Sequence, residues 1–294
     1  MNIGIVGHGY VGKATKLLGC RDDAADLDDN IVLVYDIDEE KRVPSDLQMK
    51  DLVMCDVVFV CVPTPALKNG ACDTRIVESV VGDLKDIGVT GIVVRSTVPV
   101  GTCERLGVAF MPEFLTESLW EDDFRNNKDW IIGIDGPKPG EDVELLKVIL
   151  RKILVTAKRN EKIQGANLVW ASTREAEASK LVRNSFLATK VSFCNEIYDW
   201  CQSMNINYDA VAQLMGMDDR IGPSHTQVPG PDGKKGYGGT CFPKDINSLL
   251  KLIEKAGGTE ESYIIRSAVY RNEIIDRPEK DWESDKGRAV TDEN

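Results

Sequence analysis

The chain is predicted to be α/β, with a doubly wound parallel sheet followed by an all-helical second domain. Three observations carry that expectation. Short apolar runs alternate with helical stretches across residues 1–172, a glycine-rich turn follows the first run, and residues 173–204 hold neither Gly nor Pro while keeping helical spacing of apolar side chains. Alternating strands and helices are the pattern of a parallel sheet covered on both faces. A long uninterrupted 3.6-residue periodicity marks a helix that opens a separate region.

The first apolar run, residues 1–6, passes into Gly7-His8-Gly9-Tyr10-Val11-Gly12, and residues 13–18 continue as a helical segment. In this setting Gly7 permits the tight turn, Gly9 lets the backbone approach a pyrophosphate, and Gly12 allows close helix–strand packing. The arrangement is therefore Rossmann-type. A second strand, Ile31–Tyr35, ends on Asp36, which can accept from an adenosine ribose 2′-OH and would repel a 2′-phosphate. Lys41 and Arg42 lie just beyond, so NADP is disfavoured and NAD is the expected cofactor. Further strands are expected at 57–62, 92–94, 108–110 and 130–134, with a helix at 75–85.

Ligands bind such sheets at the carboxyl ends of the strands. Three loops placed there are candidates for the site. Val62-Pro63-Thr64-Pro65 and Ser96-Thr97-Val98-Pro99 combine stiffening prolines with hydroxyls able to bond ribose or phosphate. Met111-Pro112-Glu113-Phe114-Leu115-Thr116-Glu117 sets two carboxylates four residues apart.

In the second region, Glu177, Lys180 and Asn184 are spaced to share one side of the long helix. A shorter helix is expected at 208–215, leading to Asp219-Arg220-Ile221-Gly222 and a Pro/Gly-rich loop, 222–239. That loop delivers Gly238-Gly-Thr-Cys241-Phe-Pro-Lys-Asp245. Pro243 and Asp245 suit the first turn of a helix, and a helix amino terminus near a thiol favours the thiolate. Cys241 is thus the candidate nucleophile. Helices at 243–256 and 262–275 close the domain. The expected division is 1–172, 173–275 and a polar, mobile tail at 276–294.

Lys and Arg total 36 against 48 Asp and Glu, a formal charge of -12 without a basic run, so nucleic acid and anionic membrane are excluded as expected partners. The eight cysteines, at 20, 55, 61, 72, 103, 194, 201 and 241, show no CxxC pair or regular metal spacing, and no metal site is expected. Reduced cysteines and the lack of a leader or apolar segment of membrane-spanning length point to the cytoplasm. Of the two histidines, His8 sits in the cofactor turn and His225 in the Pro/Gly loop, so a lysine-centred proton relay is favoured.

These motifs resemble the UDP-glucose 6-dehydrogenase and GDP-mannose dehydrogenase superfamily. The similarity lies in the ordered set GxGYVG at 7–12, VPTP at 62–65 with Gly70 and Asp73, STVPVGT at 96–102, PEFLxE at 112–117, Glu177-Ala-Ser-Lys180 with Asn184, Asp-Arg220-Ile-Gly, and GYGGTCFPKD at 236–245. It spans residues 1 to about 275, and the family's usual C-terminal nucleotide-binding domain has no counterpart here.

The resemblance implies NAD-dependent oxidation of a sugar C6 alcohol to a carboxylate, with Cys241 carrying a thiohemiacetal and then a thioester. It implies that Lys180 handles the alcohol proton or steadies an oxyanion, that Asn184 donates beside it, that Asp245 orients Lys180 and a water, and that Glu113 assists hydrolysis. Thr97 and Glu117 would lie near the nicotinamide, with Gly7, Gly9, Tyr10, Val11, Gly12, Asp36, Lys41, Pro63 and Thr64 completing the cofactor site. Phe114, Leu115, Lys180, Arg220 and Gly238 would contact a nucleotide-sugar substrate, UDP-glucose first, in a homodimer packed through residues 173–204. Lys234 and Lys235 are expected to contact phosphate. Two alternatives stand beside this reading: a two-electron β-hydroxyacid-type dehydrogenase, and a non-catalytic nucleotide-binding partner of another enzyme.

Overall fold

The computed structural model describes residues 1–19, 29–136, 142–257 and 262–291; Cys20 and the last residues of the expected tail lie outside them. The chain forms two compact units, Met1–Thr64 with Thr74–Lys180, and Pro65–Asp73 with Leu181–Asn294.

The first unit is built on a seven-stranded sheet of β1 (Asn2–Val6), β2 (Ile31–Tyr35), β3 (Val57–Val60), β4 (Ile92–Val94), β5 (Ala109–Phe110), β6 (Asp129–Gly133) and β7 (Asn167–Ala171). Their order is β2-β1-β3-β4-β5-β6-β7, with parallel neighbours except β5 and β6, which meet antiparallel at Phe110 and Gly133. Side chains alternate between the faces of a strand, and the two cores follow that rule. Ile3, Ile5, Val57 and Phe59 pack with Ala14, Leu18, Leu150 and Ile153 on one face. Val6, Val58 and Val60 pack with Val77, Val81 and Leu84 on the other.

The helices that supply those covers are α1 (Tyr10–Lys16), α2 (Arg75–Asp86), α3 (Thr102–Leu106), α4 (Trp120–Asn126) and α5 (Val143–Arg159). Val77, Val81 and Leu84 of α2 fall on one helical stripe, as core contact requires. The Asp142 carboxylate starts α5 by accepting from the Leu145 N–H at 2.9 Å. β7 extends the sheet beyond the strands the sequence pattern predicts. Its residues are half-buried or exposed, so it lacks a continuous apolar run.

A long helix, α6 (Thr173–Ser203), begins in the first unit and continues into the second. The compact division therefore falls after Lys180, where the sequence pattern places it before Thr173. The first turns of α6 are held by the sheet unit. A side chain on Gly133 would press on Ala176, and Glu177 accepts from the Gly101 and Cys103 amides at 2.5 and 2.7 Å.

The second unit adds α7 (Tyr208–Gly216), α8 (Phe242–Lys255) and α9 (Tyr263–Tyr270), with a π turn at Arg271–Asp276. Ala188, Tyr237, Ile246 and Ala268 make one of its cores, and Cys194, Cys201, Tyr208 and Val228 another. The expected mobile tail is corrected through Thr291. Arg277, Trp282 and Ala289 are buried, and Ala66 pairs with this segment through Ala66 N–H to Ala289 O and Thr291 N–H to Ala66 O, at 2.9 and 3.0 Å. Its polar composition reflects internal ion pairs.

Candidate active site

In the sheet unit, the glycine turn fits a dinucleotide. Gly7 has φ +94°, and a Cβ there would stand 2.6 Å from the Cys61 carbonyl oxygen. A Cβ on Gly12 would overlap the Gly7 carbonyl, whereas Gly9 has nothing within 4 Å of its Cβ position and leaves open backbone. Tyr10 and Val11 begin α1 directly after it. At the end of β2 the Asp36 carboxylate accepts from the His8 and Asp38 amides at 2.7 and 2.9 Å, which fixes it with acceptor capacity to spare. Arg42 donates to the Asp36 carbonyl at 2.9 Å and stacks on Tyr35, while Lys41 pairs with Asp38. The His8 ring meets the Lys41 carbonyl at 3.0 Å, and burial lowers its pKa.

Thr64 and Thr97 are buried beyond the strand ends, and Pro63 is exposed. Ser96 bonds the Val62 carbonyl at 2.6 Å, tying the two proline loops together. Glu113 and Lys180 form a buried ion pair. The Lys180 Nζ donates to Glu113 Oε1 at 2.7 Å and to its carbonyl at 2.6 Å, and both side chains are 3% exposed. The other Glu113 oxygen accepts from the Leu115 N–H at 2.8 Å, and the Phe114 ring lies 5.6 Å from the ammonium. Glu117 is exposed.

In the helical unit, Cys241 is half-buried and is the residue that caps the amino end of α8; the Asp245 N–H donates to its carbonyl at 2.9 Å. Thr240 Oγ1 is 3.7 Å from the Cys241 sulfur. Within the next turn Asp245 is 1% exposed and accepts from Asn184 Nδ2 and Lys244 Nζ, both at 2.6 Å. Arg220 is exposed and forks onto Asp218. Gly238 lies under the Arg277 guanidinium, which would overlap any Cβ there.

Lys234 and Lys235, the expected phosphate contacts, are already neutralised within the unit. Lys234 pairs with Asp281 and Glu279 at 2.8 and 3.2 Å, and Lys235 pairs with Asp199.

Three residues escaped the sequence reading. Lys244 is buried, a burden on its charge, yet the Asp245 carboxylate and the Cys72 and Cys241 thiols beyond it hold its pKa above the ordinary lysine value. Asn272 is fully buried and clamps the cysteine loop, accepting from the Tyr237 N–H at 2.7 Å and donating to its carbonyl at 3.0 Å. Arg95 is buried beside Cys61 and Glu113, bonding Thr15 at 3.0 Å, and burial lowers its pKa. Lys244 was legible as a cation one residue from Asp245. Asn272 had no local signal, because its partner is a distant main chain.

The fold and the glycine turn define a dinucleotide-binding α/β unit joined to a helical unit. Residues 42–154 match the NAD binding domain, and residues 174–273 the central domain, of the UDP-glucose/GDP-mannose dehydrogenase family. The chain is 36% identical over 240 residues to the UDP-glucose 6-dehydrogenase of Pseudomonas aeruginosa, covering 75% of this chain and 49% of that protein. It is 30% identical to the Rickettsia typhi UDP-glucose 6-dehydrogenase, covering 93% of this chain and 67% of that one. The chain belongs to this family, and its cofactor is NAD. It spans about half the length of the Pseudomonas relative.

Among solved structures, a UDP-glucose dehydrogenase from Pyrobaculum islandicum shares the fold with a TM-score of 0.74 and 24% identity, over 92% of this chain and 68% of that one. The Mycobacterium tuberculosis 3-hydroxyisobutyrate dehydrogenase shares it with a TM-score of 0.62 and 13% identity, over 91% of both.

Proposed function

We propose that this protein oxidises the C6 alcohol of a nucleotide sugar, UDP-glucose first, to the carboxylate in two hydride transfers by way of Cys241. The observation that carries this reading is a half-buried thiol at the amino end of α8, followed within one turn by the buried Lys244 and Asp245. The names of the relatives support it.

Bound NAD supplies the hydride acceptor, and Gly7, Gly9, Tyr10, Val11, Gly12, Asp36, Lys41, Pro63, Thr64, Thr97 and Glu117 are the residues assigned to hold it. Lys180 steadies the oxyanion as an ammonium, or takes the alcohol proton once its own has passed to Glu113. At the aldehyde stage a bond forms from the Cys241 sulfur to the carbonyl carbon, giving a thiohemiacetal. Loss of the second hydride to a second NAD, together with the hydroxyl proton, leaves a thioester. Water adds to its carbon, the carbon–sulfur bond breaks, and the thiol returns as the acid leaves. Glu113 assists that water, Asn184 donates to substrate oxygen, and Asp245 positions Asn184. Phe114, Leu115, Arg220 and the Gly238 backbone are assigned to the substrate.

Measuring NADH formed per sugar across a panel of nucleotide sugars tests the reading. Two per sugar, lost in Cys241→Ser, is expected. One per sugar would instead establish a simple alcohol dehydrogenase of the β-hydroxyacid type, whose fold the Mycobacterium likeness shares. No turnover with any sugar would favour a binding role.

A homodimer completes the proposal. Val182, Phe186, Phe193 and Trp200 leave large apolar side chains exposed along α6, and a two-fold interface would cover them. Light scattering at micromolar concentration is expected to give a dimer that Phe186→Glu converts to monomer; a wild-type monomer would reject it. Among the described residues no helix is long and apolar enough to cross a membrane. With the seven described cysteines all free, a cytoplasmic setting fits the reading.

A further inference from the structure

A cavity of about 420 Å³ lies wholly within the helical unit, walled by residues 66–70, one face of α8 and the segment from Lys280 to Thr291. Five lysines line it, 68, 244, 251, 280 and 286, against the lining carboxylates Glu273 and Glu283 and the partners Asp245 and Glu254 beside the wall. Even a small local excess of cations stands out in a chain of net charge -12.

Three of the lysines have partners: Lys244 with Asp245, Lys251 with Glu254, and Lys280 with Glu273, at 2.6, 2.9 and 2.5 Å. Lys68 and Lys286 are exposed at the rim and form no ion pair among the described residues. Two uncommitted ammonium groups therefore face a cavity whose inner wall holds Lys244, paired with Asp245. Trp282, 8% exposed, adds an apolar wall. A few cations set against apolar surface, in a cavity of this size, is the composition of a small-molecule anion site.

We propose that this cavity binds the phosphoryl group of a small molecule, with Lys68 and Lys286 as its direct contacts. Lysine serves phosphate as a point charge with rotatable donors, and the two rim lysines can close on a ligand at little cost to the fold. The source is either the diphosphate of a nucleotide sugar or a free phosphorylated metabolite. The site stands apart from the redox reading, because binding requires neither NAD nor turnover.

Calorimetric titration of the full chain with pyrophosphate and with UDP, in the absence of NAD, tests it. Pyrophosphate is expected to bind, to weaken with added salt, and to bind about tenfold or more weakly to Lys68→Ala/Lys286→Ala. Lys68→Arg/Lys286→Arg is expected to restore it. If UDP loses affinity in the alanine variant as well, the nucleotide is the source. If UDP is unaffected while pyrophosphate is lost, a free phosphorylated metabolite is the ligand. Failure of pyrophosphate to bind, or equal binding by wild type and the alanine variant, overturns the proposal and leaves the NADH stoichiometry to be judged by itself.

Discussion

The two units differ in how their exposed charges are tied together. Each buries a lysine–carboxylate pair, Lys180 with Glu113 at 3% exposure each and Lys244 with Asp245 at 9% and 1%. The helical unit adds a web of bridges between distant segments, Asp199 with Lys235 and Arg271, Asp232 with Arg277, and Lys234 with Asp281 and Glu279, whereas exposed bridges of the sheet unit such as Lys41 with Asp38 and Lys147 with Glu144 stay within one turn. An isolated buried pair has few substitutes for either partner, so it fixes position at the cost of tolerance. A web of exposed bridges tolerates loss of any one member and fixes little by itself. In the helical unit the buried Asp245 is held by Lys244 and Asn184, and the neutral clamp Asn272 fixes the cysteine loop.

The largest effect should come from breaking the buried pair. Lys180→Ala is expected to destabilise the sheet unit by about 3–5 kcal/mol, because Glu113 is left buried without its cation. Urea denaturation followed through the buried Trp130 measures this, and Lys180→Met with Glu113→Gln should recover most of the loss. Equal stability of wild type and the single variant would refute the positional role given to the buried pair.

Next comes the clamp. Asn272→Ala removes two buried hydrogen bonds to Tyr237 and is expected to cost about 1–3 kcal/mol. Amide exchange at Tyr237 should quicken more than in the sheet; uniform quickening across both units would deny Asn272 a local role.

The smallest effect sharpens the comparison by its sign. In the helical unit burial raises the Asp199 and Asp232 carboxyls, but Lys235 and Arg271 for one, and Arg277 for the other, hold them below the ordinary 3.8. They contribute stability present above 3.8 and lost as pH falls through their lower folded values. In the sheet unit burial raises Glu177 above 4.5, against the two amides it accepts from. Its contribution is present below 4.5 and lost as pH rises through the raised value. Acid titration should therefore show Asp199→Asn flattening the loss below 3.8, and Glu177→Gln removing a decline above 4.5. Slopes unchanged in both variants would contradict this assignment.

Much of the sheet unit was legible because strand, glycine turn and helix are local signals. Ile31–Tyr35 and Ile92–Val94 were readable as apolar runs, and α6 by its periodicity. β7 was not, since a half-exposed edge strand carries no continuous apolar run. The motif residues could be named from their order, but the partners of Asp245 and the clamp by Asn272 depend on tertiary contacts. The tail was misread for a related reason: Arg277 and Asp281 look solvated in sequence, while in the fold the Arg277 side chain is 1% exposed and faces Asp232 and Asp281. Polarity reports which groups want partners and is silent on whether water supplies them.

The pairing of Ala66 with Ala289 and Thr291 also sets a schedule for biosynthesis. Every strand of the sheet has left the ribosome once Ala171 has emerged, and that unit can begin to close while translation continues. The Ala66 edge of the loop at 65–73, which otherwise bonds within itself, must then wait for its partners until residues near Thr291 are made. Closing so long a chain segment carries an entropic cost that nearest-neighbour contacts do not. The helical unit is accordingly the later part to mature, and nascent chains released early would expose the backbone of a loop that still lacks its partner.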